Sequence, residues 1–110
     1  MGYEIVTIPR FEKDAKRLKK RFPHIKRDLS NLIKALETNP QSGTPLGDNL
    51  FKIRIPNSSI PTGKSGGFRV ITYYVTDEKL YLVTMYSKTD QDTIVTKKLM
   101  EIIQNEVKKM

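Results

Sequence analysis

Lys52 and Arg54, then Lys64, then Arg69 are the side chains of this 110-residue chain whose types and spacing suit work on a phosphate. They fall within residues 49–76, a stretch without a single aspartate or glutamate. Solvated surfaces ordinarily mix charge signs. A one-signed patch carried on strand-like runs therefore reads as an anion site. Arginines on adjacent strands could grip one phosphate in bidentate fashion, which lysine cannot do. The alternative is that these are exposed strand residues that discourage edge pairing. Tyr73, Tyr74 and Tyr86 add rings that could stack on bases, with Tyr74 falling in the alternation of Phe68 and Val70 and so assigned to the core.

A second motif misleads. Ser58 to Ser65, ending Gly63-Lys64-Ser65, nearly matches the nucleotide-binding loop G-x-x-x-x-G-K-S/T. Its first glycine is absent, and Ser65 leads into a strand instead of the helix whose free N–H groups collect phosphate. Nucleotide hydrolysis is set aside on that ground. The glycines at 63, 66 and 67 still allow the backbone to aim N–H groups into a concavity beside Lys64. The other reading of this loop is a plain hairpin connection bearing a surface lysine.

The remaining chemistry is narrowed by what the chain lacks. It has no cysteine, so neither a disulfide framework nor a thiolate metal site can form. His24 is the only histidine, which rules out a two-histidine nuclease, and no His/Asp/Glu cluster has metal-ligand spacing. Any catalysis must use Lys, Arg and Tyr. RNA cleavage can, because the 2′-hydroxyl of the RNA is itself the nucleophile. The protein then needs only to position the strand, shuttle protons and stabilise the pentacoordinate phosphorus with cations. Crowded cations also favour the neutral form of a neighbouring lysine, which can serve as base. No metal and no cofactor is expected.

The net charge of +8 favours polyanionic partners. The run from Arg10 to Arg27 alone holds nine Lys or Arg against Glu12 and Asp14, and Lys16 and Lys20 within it are candidate secondary RNA contacts, or else a solvated helix face. No apolar run approaches the roughly 18 residues of a membrane span, and no secretory signal opens the chain. A cytoplasmic protein is expected.

These side chains need elements to hold them. Residues 3–8 alternate as a strand that Pro9 ends. Helical spacing follows through Phe11, Ala15, Leu18 and Phe22, then through Ile25, Leu29, Leu32, Ile33 and Leu36 up to Asn39-Pro40. Residues 41–49, with Gly43, Pro45 and Gly47, read as a loop. Strands are predicted at 50–55, 67–75 and 79–87, the last two joined by a short turn at 76–78, and a final amphipathic helix from about residue 92. The expectation is one domain over residues 1–110, α+β, ordered β-α-α-β-β-β-α. It has a four-stranded antiparallel sheet, a helical hairpin on one face and a C-terminal helix. Alternation puts Lys52 and Arg54 opposite Phe51, Ile53 and Ile55, and puts Arg69 with Ile71 and Tyr73. If the charged sides coincide, Lys52, Arg54, Arg69, Tyr86 and Lys88 share one open face.

Three blocks, Phe51-Lys52-Ile53-Arg54, Lys64-Ser65-Gly66-Gly67-Phe68-Arg69-Val70-Ile71 and Leu82 to Lys88, resemble the RelE/ParE superfamily of toxins, most closely its HigB-like branch. The resemblance spans nearly the whole chain. It implies a RelE-like fold and a type II toxin–antitoxin toxin. Such toxins are mostly endoribonucleases that cut mRNA in the ribosomal A site, and a cognate antitoxin neutralises them. It further implies that Arg54 and Arg69 bind the scissile phosphate, that Lys52 or Lys88 handles protons, that Tyr86 stacks on or orients a base, and that Lys64 assists from its loop. Thr89 and Val95 stand where some ribosome-dependent relatives carry an arginine and a tyrosine, which leaves the acid/base assignment open. Two other functions compete: a ParE-like inhibitor of DNA gyrase, and an RNA-binding module without catalysis.

Overall fold

The computed structural model describes residues 4–60, 67–75, 79–88, 90 and 94–108. Its elements run β1 (Glu4–Thr7), α1 (Pro9–Lys19), α2 (Ile25–Thr38), β2 (Thr44–Gly47), β3 (Leu50–Ile55), β4 (Phe68–Val75), β5 (Lys79–Ser87) and α3 (Thr96–Glu106). The strands form one mixed sheet in the order β1-β5-β4-β3-β2. β2, β3, β4 and β5 pair antiparallel in succession, and β1 joins β5 in parallel.

Two expectations about the sheet are corrected: it has five strands, and it is not wholly antiparallel. The additional strand is β2, in the segment read as a loop. Pro45 and the flanking glycines disguise it, yet proline is tolerated on an edge strand, and β2 is the edge. Asp48 and Asn49, with φ of 54° and 65°, form the two-residue link to β3. Two consecutive positive φ values are what a tight hairpin turn of the strand-matching hand requires, and Asp and Asn tolerate them best after glycine. β1 departs for a different reason. It is tied to no other strand by a tight turn, so nothing local forces an antiparallel partner, and the helical hairpin that follows leaves it free to lie parallel to β5.

The helices begin and end where their sequence dictates. Pro9 closes β1 and also occupies the first turn of α1, where its missing N–H costs nothing. α1 stops at Lys19, short of Phe22, but the Phe22 ring still packs edge-to-face on Phe68 at 5.3 Å and pins the turn between the helices to the start of β4. α2 ends at Thr38, and its cap Asn39 is extended because Pro40 follows it. The core draws on Phe11 and Leu18 of α1, Ile25, Leu32 and Leu36 of α2, and Leu99, Ile102 and Ile103 of α3.

Both faces of the central strands are covered. Every residue from Phe68 to Thr72 and from Leu82 to Ser87 is buried. The expected open face therefore does not exist at β4 and β5, and the accessible cationic rim lies on β3. Gly43 fixes the approach of β2 to that rim. Its φ is +100°, and a Cβ there would lie 2.5 Å from the Lys52 carbonyl oxygen. Gly43→Ala should lower stability by about 1–3 kcal/mol, read as a shift in urea midpoint.

Candidate phosphate site at the cationic strand row

Register places three of the sequence-selected side chains in one row. Arg54 on β3 pairs with Arg69 on β4, and Arg69 pairs with Tyr86 on β5. Directly paired residues project from the same face with Cβ atoms roughly 4.5–5.5 Å apart. Two guanidinium-bearing side chains are thus immediate cross-strand neighbours. Like charges directly opposite destabilise a sheet, so this pair costs stability until an anion lies between or beside its members.

The two arginines differ in access. Arg54 is exposed, whereas Arg69 is only 3% exposed. Among the described residues the Arg69 Nη1 makes a single long hydrogen bond, 3.4 Å, to the neighbouring Phe68 carbonyl, and its Nε has no hydrogen-bond partner. Among the described residues no carboxylate lies within ion-pair distance of either arginine: Asp14 is taken by Arg10 and Arg17, and Asp90 by Arg21 at 2.7 Å. A buried cation with unfilled donors is rare and calls for a partner that supplies acceptors. Phosphate oxygens would do so.

The other selected residues sit at varied distances from this row. Tyr86 is in it and is buried at 4% exposure, so it is not displayed on an open face. Lys52 occupies the adjoining row, opposite Ile71 on β4 and Thr44 on β2, and is half-buried. Lys88 is exposed just past β5, where its N–H donates to the Gly67 carbonyl at 3.0 Å and so ties the strand end to the start of β4. Tyr73 lies on the Arg69 side of β4 but four residues along, its ring 6.2 Å from that of Tyr81. Lys16 of α1 and Lys20, just past its C-terminal end, are exposed, whereas Phe11, Asp14 and Leu18 of the helix are buried. Lys64 lies outside the described residues. Among the described residues no group of three or more His, Cys, Asp or Glu is placed to hold a metal.

Two buried acids escaped the sequence reading. Asp14 accepts hydrogen bonds from Arg10 and Arg17 and a short one from the Thr84 hydroxyl, and so fastens α1 to β5 two residues before Tyr86. Asp28 of α2 accepts the Ser58 N–H at 3.1 Å, just beyond β3. The signal was present: both acids interrupt an apolar helical stripe, Phe11-Asp14-Leu18 in one helix and Ile25-Asp28-Leu32 in the other.

Residues 10–109 match the family model described as the RelE toxin of the RelE/RelB toxin–antitoxin system. The fold is similar to that of a double arginine-to-alanine variant of the E. coli toxin RelE in the free state, with a TM-score of 0.60 and 14% identity, over 100% of this chain and 99% of that one. No curated protein matches the sequence significantly.

Proposed function

Because this chain belongs to the RelE toxin family of toxin–antitoxin systems, and so has an antitoxin as its expected partner, we propose that it is a ribosome-dependent mRNA endoribonuclease. In this reading it acts in the cytoplasm and belongs to the HigB-like branch, on the strength of its Lys52-Ile53-Arg54, Gly63 to Ile71 and Tyr86 to Lys88 blocks.

The observation that carries the proposal is the Arg54–Arg69 pair: two cations opposed across strands, one buried with an unfilled Nε, and no carboxylate within ion-pair distance of them among the described residues. The 2′-oxygen of the RNA attacks the adjacent phosphorus, and the bond to the 5′-oxygen breaks. The products are a 2′,3′-cyclic phosphate and a 5′-hydroxyl. Arg54, at the rim, contacts the scissile phosphate first. Arg69 lies behind it, where low dielectric makes a fixed charge worth more to the developing dianion than a solvated one. Lys52 or Lys88 takes the 2′-hydroxyl proton or returns one to the leaving oxygen, and Tyr86 orients the base next to the cut. Lys64 and Tyr73, with Lys16 of α1 and Lys20 just beyond it, extend the contact with RNA.

Purified protein added to a cell-free translation reaction should shorten an actively translated message and leave the same RNA intact without ribosomes. Supercoiling by DNA gyrase should be unaffected. Inhibition of gyrase with messages left intact would replace this reading with the ParE-like one.

A further inference from the structure

β2 meets β3 only as far as Lys52, so Ile53, Arg54 and Ile55 continue past the end of their outer neighbour. α2 runs beside this unpaired rim. Between them is a cavity of about 240 Å³, walled by Leu32, Ala35 and Leu36 from the helix and by Ile53 and Ile55 from the strand. It is smaller than the roughly 300–1,000 Å³ of sites for drug-sized ligands. One planar ring fits it better than an extended ligand.

Its polar groups are few. Asp28 and Asn31 stand one helical turn apart on α2, Arg54 contributes from the strand, and the Ser42 hydroxyl, also on the lining, donates to the Asn39 carbonyl. Asp28 is 6% exposed, and its Oδ2 accepts the Ser58 N–H. Oδ1 of this buried carboxylate has no hydrogen bond among the described residues, so the slot presents a spare acceptor. The Asn31 amide adds both a donor and an acceptor. Apolar walls, one hydrogen-bonding edge and a cation on the lining match an unpaired nucleobase with its phosphate. A peptide carrying an acid for Arg54 is the alternative occupant, and the test below separates the two.

Resting on the endoribonuclease reading, we infer that this slot receives one unpaired base of the RNA next to the phosphate held by Arg54. Asp28 selects bases that carry an exocyclic amine over uracil. Cytosine N4, adenine N6 and guanine N2 all donate where uracil presents only carbonyl oxygens at those positions.

The test uses the full chain and two mononucleotides. Cytidine 5′-monophosphate should shift the methyl resonances of Ala35 and Ile55 at about fivefold lower concentration than uridine 5′-monophosphate, as one added hydrogen bond implies. Ala35→Trp, which fills the slot from an exposed helical position, should abolish these shifts. In cleavage mapping, Asn31→Ala and Ala35→Trp should flatten the base preference at one fixed position beside the cut. Equal responses to the two nucleotides, or shifts confined to the Arg54–Arg69 row, overturn the inference. So does a slot that responds to an antitoxin peptide and to neither nucleotide. Cytidine selectivity in a protein that cuts no message supports the slot and removes the nuclease reading. Frame-locked cutting without that selectivity removes the slot and keeps the nuclease.

Discussion

Arg69→Met should abolish growth arrest and mRNA cleavage while making the protein more stable. Arg69 is buried opposite another arginine, with one long hydrogen bond and an unfilled Nε. Methionine has similar length and flexibility, needs no partner and fills irregular space well. Replacing buried charge by apolar side chains of similar volume commonly stabilises, by about 1–4 kcal/mol. The urea midpoint should therefore rise with the slope unchanged. Cleavage should fall by about 10²–10³-fold, the usual cost of losing one preorganised donor to a developing oxyanion. A core arginine kept for packing alone would behave in the opposite way, losing stability on substitution and leaving the residual cleavage proportional to the folded fraction.

The second large effect is expected from Arg54→Glu. The substitution puts a carboxylate directly across from Arg69 and turns a repulsive cross-strand pair into an attractive one. Opposite charges at such positions contribute roughly 0.2–1 kcal/mol, and here the carboxylate also supplies the acceptors that Arg69 lacks. Stability should rise. Activity should vanish, because the new carboxylate occupies the place of the phosphate and repels it. Arg54→Ala separates the two contributions: it removes the repulsion without filling the site, so it should retain more cleavage than Arg54→Glu. If Arg54→Glu cuts message at the rate of the unaltered protein, the row is not the phosphate site.

How far the sequence led can be judged from particular residues. Strands β3 and β5 were legible to the residue, because aliphatic, aromatic and β-branched residues dominate each run and a turn or proline bounds it. Parity put Arg54 opposite Ile53 and Ile55 on its strand, and Arg69 with Ile71 and Tyr73 on its own. It could not give register, which is what makes them direct partners, nor show that the Arg69 side of β4 is covered. Alternation reports which side of its own strand a residue takes. Burial depends on what packs there from far along the chain. β2 was missed because Gly43, Pro45 and Gly47 suppress any strand-like period in four residues, although Asp48-Asn49 is a usable hairpin signal. The direction of β1 was beyond reach, since nothing local links it to β5. The cavity between α2 and β3 depends on where β2 stops and how α2 lies over β3, and neither is written in a periodicity. Asp28, an acid within the apolar stripe of its helix, was the one local clue.

The central claim is that the Arg54–Arg69 row cuts translated RNA. Mapping new mRNA 5′ ends in bacteria after induction of the unaltered chain, with Arg69→Met in parallel, tests it most directly. The account predicts 5′-hydroxyl ends locked to the reading frame within translated regions, and none with Arg69→Met at equal protein level. An unchanged 5′-end profile during growth arrest, or the same cuts from Arg69→Met, would contradict it.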